Sequence, residues 1–129
     1  MNIISDTNIF LAVALDEPEK DHIIQVTSGV NIASPEILPY EIGNALSAMV
    51  KRKRLTEKEA LQAQIKTNCI PVRLVSTDIQ KALGLAIKFN IYAYDAYFLQ
   101  CAKTLVYPLF TFDKRMKQVA NELNIELLE

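Results

Sequence analysis

Short apolar runs alternate with longer amphipathic stretches along the whole chain, and this alternation constrains the fold more than any other feature. Asn2–Ser5, Val30–Ala33, Val72–Val75, Leu109–Phe112 and Ile125–Leu128 read as strands. Helices are predicted between them, over about Thr7–Leu15, Pro18–Thr27, Ser34–Lys53, Thr56–Asn68, Thr77–Phe89, Tyr94–Thr104 and Lys114–Leu123. Local signals set several of these limits. Gly29 stops the second helix, Ser34-Pro35-Glu36 offers a cap and a proline in the first turn of the third, and Thr56 with Glu59 has the capping-box spacing for the fourth. Strands separated by helices pair in parallel through crossovers, which bury both sheet faces. The predicted fold is therefore α/β, with three α/β/α layers around a central, mainly parallel sheet of about five strands. In such folds function gathers at the carboxyl ends of the strands.

The chain has 129 residues, 50% of them hydrophobic and 22% charged, enough for one domain over residues 1–129 with a proper core and no disulfides. Cys69 and Cys101 form no CxxC pair, and His22 is the only histidine, which argues against a thiolate zinc site. Asp6 and Asn8 interrupt the first apolar run, which also lacks a basic leader, and no run reaches spanning length. The expectation is a cytoplasmic protein with no membrane segment. The net charge of −1 hides an asymmetry: residues 1–50 carry one Lys or Arg against seven Asp or Glu, and residues 51–129 carry thirteen against eight. That balance excludes a uniformly basic nucleic-acid binder. It leaves room for a basic rim in contact with RNA, supplied by Lys51, Arg52, Lys53 and Arg54 with Lys114, Arg115 and Lys117, although the same residues also suit solvated helix ends.

Four acids fall where an apolar segment ends or where an apolar helix face should continue. Asp6 follows the first strand and Asp113 the fourth, while Glu41 and Asp95 lie among Leu, Ala and Phe at helical spacing. Asp6, Asp95 and Asp113 each precede a helical stretch and could serve as N-caps. Glu41, placed inside its helix, has no such explanation. Isolated buried carboxylates are costly unless paired or bound to metal, so the four together suggest a site for a hard cation, Mg²⁺ or Mn²⁺. Such a site suits phosphodiester hydrolysis, and a lone histidine does not suit a histidine-pair ribonuclease. An Asp after the first strand also occurs in phosphoaspartyl enzymes and receiver domains. The dehalogenase-like enzymes, however, have a second Asp where this chain has Asn8, and the acidic pair and late lysine of a receiver are not evident.

The order and spacing of Asp6-Thr7-Asn8, Tyr40-Glu41-Ile42 with Asn44-Ala45-Leu46, Tyr94-Asp95-Ala96-Tyr97 and Thr111-Phe112-Asp113 resemble a PIN domain, most closely the VapC toxins of toxin–antitoxin pairs. The resemblance covers nearly the whole chain. It implies a metal-dependent endoribonuclease in which Asp6, Glu41, Asp95 and Asp113 bind Mg²⁺ or Mn²⁺ and act on RNA, with Asn8 and Thr111 as polar auxiliaries. It also implies a homodimer and an antitoxin whose tail covers an apolar groove between the early helices. Ile9, Phe10, Leu11, Leu46 and Met49 could supply that groove, or they could be core. PIN domains working in other RNA processing, and PIN-like scaffolds that bind without cutting, are the alternatives.

Overall fold

The structure is a computed structural model describing residues Met1–Glu129. In chain order it comprises β1 (Asn2–Ser5), α1 (Thr7–Ala14), α2 (Lys20–Thr27), β2 (Asn31–Pro35), α3 (Leu38–Lys51), α4 (Glu57–Asn68), β3 (Arg73–Val75), α5 (Ile79–Phe89), α6 (Ala93–Leu105), β4 (Leu109–Phe110) and α7 (Lys114–Glu122). The strands form one sheet in the order β3-β2-β1-β4, and every pairing is parallel. Period-two alternation sends Ile3 and Ile4 to opposite faces. On one side Ile3 packs with Ile9, Ala12, Ile23 and Phe110; on the other Ile4 packs with Leu38, Ile42, Phe98, Leu99 and Val119. Helices therefore cover both faces of the sheet.

The fifth strand expected over Ile125–Leu128 is reduced to a single parallel bridge between Leu127 and Leu109. Two backbone bonds hold it, from the Leu109 N–H to the Glu126 carbonyl at 2.8 Å and from the Leu128 N–H to the Leu109 carbonyl at 3.0 Å. β4 itself is only two residues long, so it offers a fifth strand little to pair with. The sheet has four strands rather than about five.

A second correction moves the start of α3. Ser34 and Pro35 end β2 instead of opening the helix, which begins at Leu38 with Pro39 in its first turn. Asn31 donates its N–H to the Met1 carbonyl at 2.9 Å, and the two-residue repeat of a parallel ladder brings residue 35 opposite the Ser5 carbonyl. Pro35 has no N–H to give. The Ser34 hydroxyl donates to that carbonyl instead, at 2.8 Å. The pairing of β1 with β2 thus ends where the chain leaves β1 for Asp6.

Candidate active site

The sheet is all parallel, so the carboxyl ends of its strands and the N-termini of the helices that follow them share one edge. Asp6 occupies the N-cap of α1 and Asp113 that of α7, while Glu41 and Asp95 stand in the first turns of α3 and α6. All four acids thus lie at helix N-termini, where the helix dipole favours negative charge. Two sequence readings change accordingly. Glu41 is a first-turn residue because α3 begins at Leu38, and Asp95 is not a cap because Tyr92 holds that position in α6.

One cleft of about 300 Å³ is lined by Asp6, Glu41, Asp95 and Asp113 together with Asn8. Asp6 is 6% exposed. One of its carboxylate oxygens accepts the Thr7 N–H at 2.7 Å and the other accepts the Thr111 hydroxyl at 2.9 Å. Thr111 lies behind the cleft wall and also accepts the Asp113 N–H at 3.0 Å, so one buried hydroxyl ties the β1 acid to the backbone of the β4 acid. Asp113 accepts the Met116 N–H at 2.8 Å as a cap should. Glu41 accepts the Thr7 hydroxyl at 2.7 Å.

Burial is the main reason that Asp6 is pushed up to about 6. The neighbouring Asp95 and Glu41 raise it further, against the opposing effect of its bonds from Thr111 and Thr7. Glu41 is also raised, by burial and by Asp95, while the Thr7 hydroxyl pulls the other way. Asp95 is raised by burial and by Asp113. The acids feel one another's charge, yet no three of them, nor any other group of three Asp, Glu, His or Cys side chains, form a ready-made metal cage. Their chemistry nonetheless suits a hard cation that keeps much of its own water: an all-oxygen donor set, partly desolvated and charge-crowded.

The model of the PIN domain family matches residues 3–122. This chain belongs to the PIN domain family. PIN domains are generally nucleases and generally use divalent metal ions. Among solved structures, the chain is similar to PAE2754 from Pyrobaculum aerophilum, at 20% identity and a TM-score of 0.71, over 92% of this chain and 79% of that one. It is also similar to a chain of VapBC2 from Rickettsia felis, solved bound to a DNA fragment from their promoter, at 16% identity and a TM-score of 0.66, over 98% of this chain and 97% of that one. No curated protein matches the sequence.

The seven basic residues expected to form an RNA-contacting rim on this PIN domain divide into three groups. Lys51, Arg52, Lys53 and Arg54 end α3 and its exit turn, ten residues or more beyond Glu41, which is about 15 Å along a helix. Arg115 donates to the Phe89 carbonyl at 2.6 Å and so closes the C-terminus of α5. Lys114 and Lys117 are solvent-facing or partly so, in the first turn of α7 beside Asp113. Sequence reasoning gave no role to Thr7, Tyr40, Asn44 or Tyr94, all of which line the cleft. Thr7 had a usable signal, a hydroxyl in the turn between a strand and a helix directly after an acid. The residues proposed for an antitoxin groove prove to be interior: Ile9, Phe10, Leu11 and Leu46 are buried, and Met49 packs against the core.

Proposed function

We propose that this PIN domain is a Mg²⁺- or Mn²⁺-dependent endoribonuclease, and that Asp6, Glu41, Asp95 and Asp113 are its metal-binding residues. The observation that carries the reading is the convergence of four carboxylates in one cleft, with Asp6 at about 6. When bound there, such an ion would supply the acidified water and the positive charge that phosphodiester hydrolysis requires. The chain's own residues prepare the ground. Thr7 orients Glu41, Thr111 orients Asp6 and fixes the Asp113 backbone, and the exposed amides of Asn8 and Asn44 can hydrogen-bond a nucleotide at the mouth. Lys114 and Lys117 are the nearest free cations in sequence to the acids, and so the best placed to offset the repulsion between phosphate and the acidic floor.

Added Mg²⁺ or Mn²⁺ should raise the thermal midpoint, because the ion binds the folded acids and not the unfolded chain. Excess chelator should abolish cleavage of RNA. Full activity in chelator would sink the metal reading.

The likeness to a VapBC2 chain supports a role as the toxin of a toxin–antitoxin pair acting in the cytoplasm. No helix of the structure is long and apolar enough to cross a membrane. For the antitoxin we favour the face carrying Leu61 and Ile65, one turn apart on α4 and each 61% exposed. Leu83 and Ile87, likewise one turn apart and exposed on α5, form a second apolar face, which we assign to a second copy of the chain. Co-purification with the product of the adjacent reading frame, and loss of that complex in Leu61→Asp with Ile65→Asp, tests the antitoxin assignment.

A further inference from the structure

Beside the acidic cleft lies a second depression of about 280 Å³, lined by Glu36, Ile37, Tyr40, Thr77, Ile79 and Tyr97. The two share Ile37 and Tyr40, so these two residues border both depressions. Resting on the nuclease reading of the cleft, we propose that this second depression is a nucleobase pocket, which receives an unstacked base next to the scissile phosphodiester against the Tyr40 ring.

Charge favours that occupant. The carboxylates of the cleft repel phosphate, whereas a base is neutral. The second depression contains no cation to hold a phosphate and only one carboxylate, Glu36. Its walls are two isoleucines and two phenol rings, on which any base can stack. Tyr40 is 75% exposed, so its ring is free to be covered. Tyr97 is half-buried and meets Tyr94 edge to face, with ring centroids 6.0 Å apart, a favourable aromatic pair that supports that wall. At the edge, the Thr77 hydroxyl makes a single hydrogen bond, at 3.6 Å with the Cys101 sulfur, which leaves it able to bond a base edge. A base in a duplex cannot enter a recess of this kind without leaving its stack, so the pocket would select unpaired nucleotides.

The test uses the Asp6→Asn protein, so that RNA is bound but not consumed, and a labelled single-stranded oligouridine in Mg²⁺. Adding Tyr40→Ala should weaken binding about 5- to 150-fold, the range of one lost base–aromatic stack. Tyr40→Phe keeps the ring and should retain most of the affinity. In a set of oligomers each carrying one abasic residue, one should bind weakly and lose nothing further from Tyr40→Ala. A loss from Tyr40→Ala that is equal on every abasic oligomer, or no loss at all, overturns the pocket. So does a change of oligomeric state with RNA affinity unaltered, which would give the face to a second copy. In the Asp6 background, Tyr40→Ala can be checked by its thermal midpoint, which an exposed residue should leave unmoved. Base-dependent binding by a parent protein that never cleaves would support the pocket while sinking the nuclease reading. Cleavage of single-stranded RNA at parental kcat/KM by Tyr40→Ala alone would overturn the pocket and leave the nuclease standing.

Discussion

The N-termini of α1 and α5 begin with the same local device and meet opposite fates. Asp78 is exposed at the N-cap of α5 and accepts the Lys81 N–H at 3.1 Å, three residues on, as a conventional cap does. Asp6 is buried at the N-cap of α1, where its first oxygen reaches only the Thr7 N–H and its second is taken by Thr111, far along the chain. Both follow strands of the same parallel sheet. The difference lies in what surrounds them: Asp78 stands outside the acidic cleft, and Asp6 lies inside it with Glu41, Asp95 and Asp113. A cap is a local property of a chain, whereas a charge-crowded site exists only where several helix N-termini converge.

The most direct way to break this comparison is to neutralise both aspartates. Asp6→Asn keeps a capping side chain and nearly the same volume, and should lower RNA cleavage more than about 100-fold, beyond what loss of an outer partner of a metal ligand causes. Asp78→Asn should cleave like the parent. Glu41→Gln should behave like Asp6→Asn, with an intact fold and lost activity. Two active, metal-responsive variants at Asp6 and Glu41 would return those acids to structural roles.

Stability against pH sharpens the contrast without any substrate. Burial raises Asp6 from an ordinary 3.8 to about 6, so between those values the folded state holds a proton that the unfolded state has released. Stability is therefore fully present below the unfolded value and lost as pH rises through about 6, by about 3 kcal/mol for this group. Metal-free midpoints measured from pH 4 to pH 7 should fall with rising pH in the parent and fall less in Asp6→Asn. Mg²⁺ should reverse the trend at the upper end, and its affinity should decline as the pH is brought back down. A flat profile in the parent would show that Asp6 ionises in the fold without penalty.

A smaller effect is expected behind the acids. Thr7→Val removes the hydroxyl that orients Glu41, and should cost about 10- to 100-fold in metal affinity or cleavage, as loss of a ligand's hydrogen-bonding partner does elsewhere. Metal titration followed by the thermal midpoint reads the affinity directly. Unchanged affinity would mean that Glu41 is positioned by α3 alone. The smallest effect belongs to the exposed cap: Asp78→Ala should lower stability by about 1 kcal/mol, visible in a denaturant midpoint, with kcat/KM unmoved. A fall in kcat/KM would mean that the α5 terminus belongs to the site after all.

Most of the architecture was legible in the sequence because its signals are local. The Thr56–Glu59 capping box forms as read, with both reciprocal bonds at 3.1 and 2.9 Å. β1 and all seven helices lie where apolar periodicity put them, within a few residues at their ends. The failures have particular causes. Ser34-Pro35-Glu36 has the composition of a helix start, but the register of β2 against β3 extends through Pro35 to Val75 and delays α3 to Leu38. Ile125–Leu128 has the composition of a strand, but β4 is too short to pair with it for more than one bridge. Ile9, Phe10, Leu11 and Leu46 were open to a groove reading, because apolarity does not reveal which side of a helix meets another, although such residues are more often core, and they are buried.

The sequence by itself determined that this chain alternates strand and helix, that its sheet is parallel, and that Asp6 and Asp113 stand past strand ends at helix starts. Those are properties of hydrophobic period, capping residues and chain order, each settled within a few positions. Only the tertiary structure decided that Glu41 and Asp95 face the same cleft, that Thr7 and Thr111 hold the acids, and that Asp6 is desolvated while Asp78 is not. Desolvation and Coulomb repulsion depend on what the rest of the chain brings within a few ångströms, and crossovers bring together residues as far apart in sequence as Asp6 and Thr111.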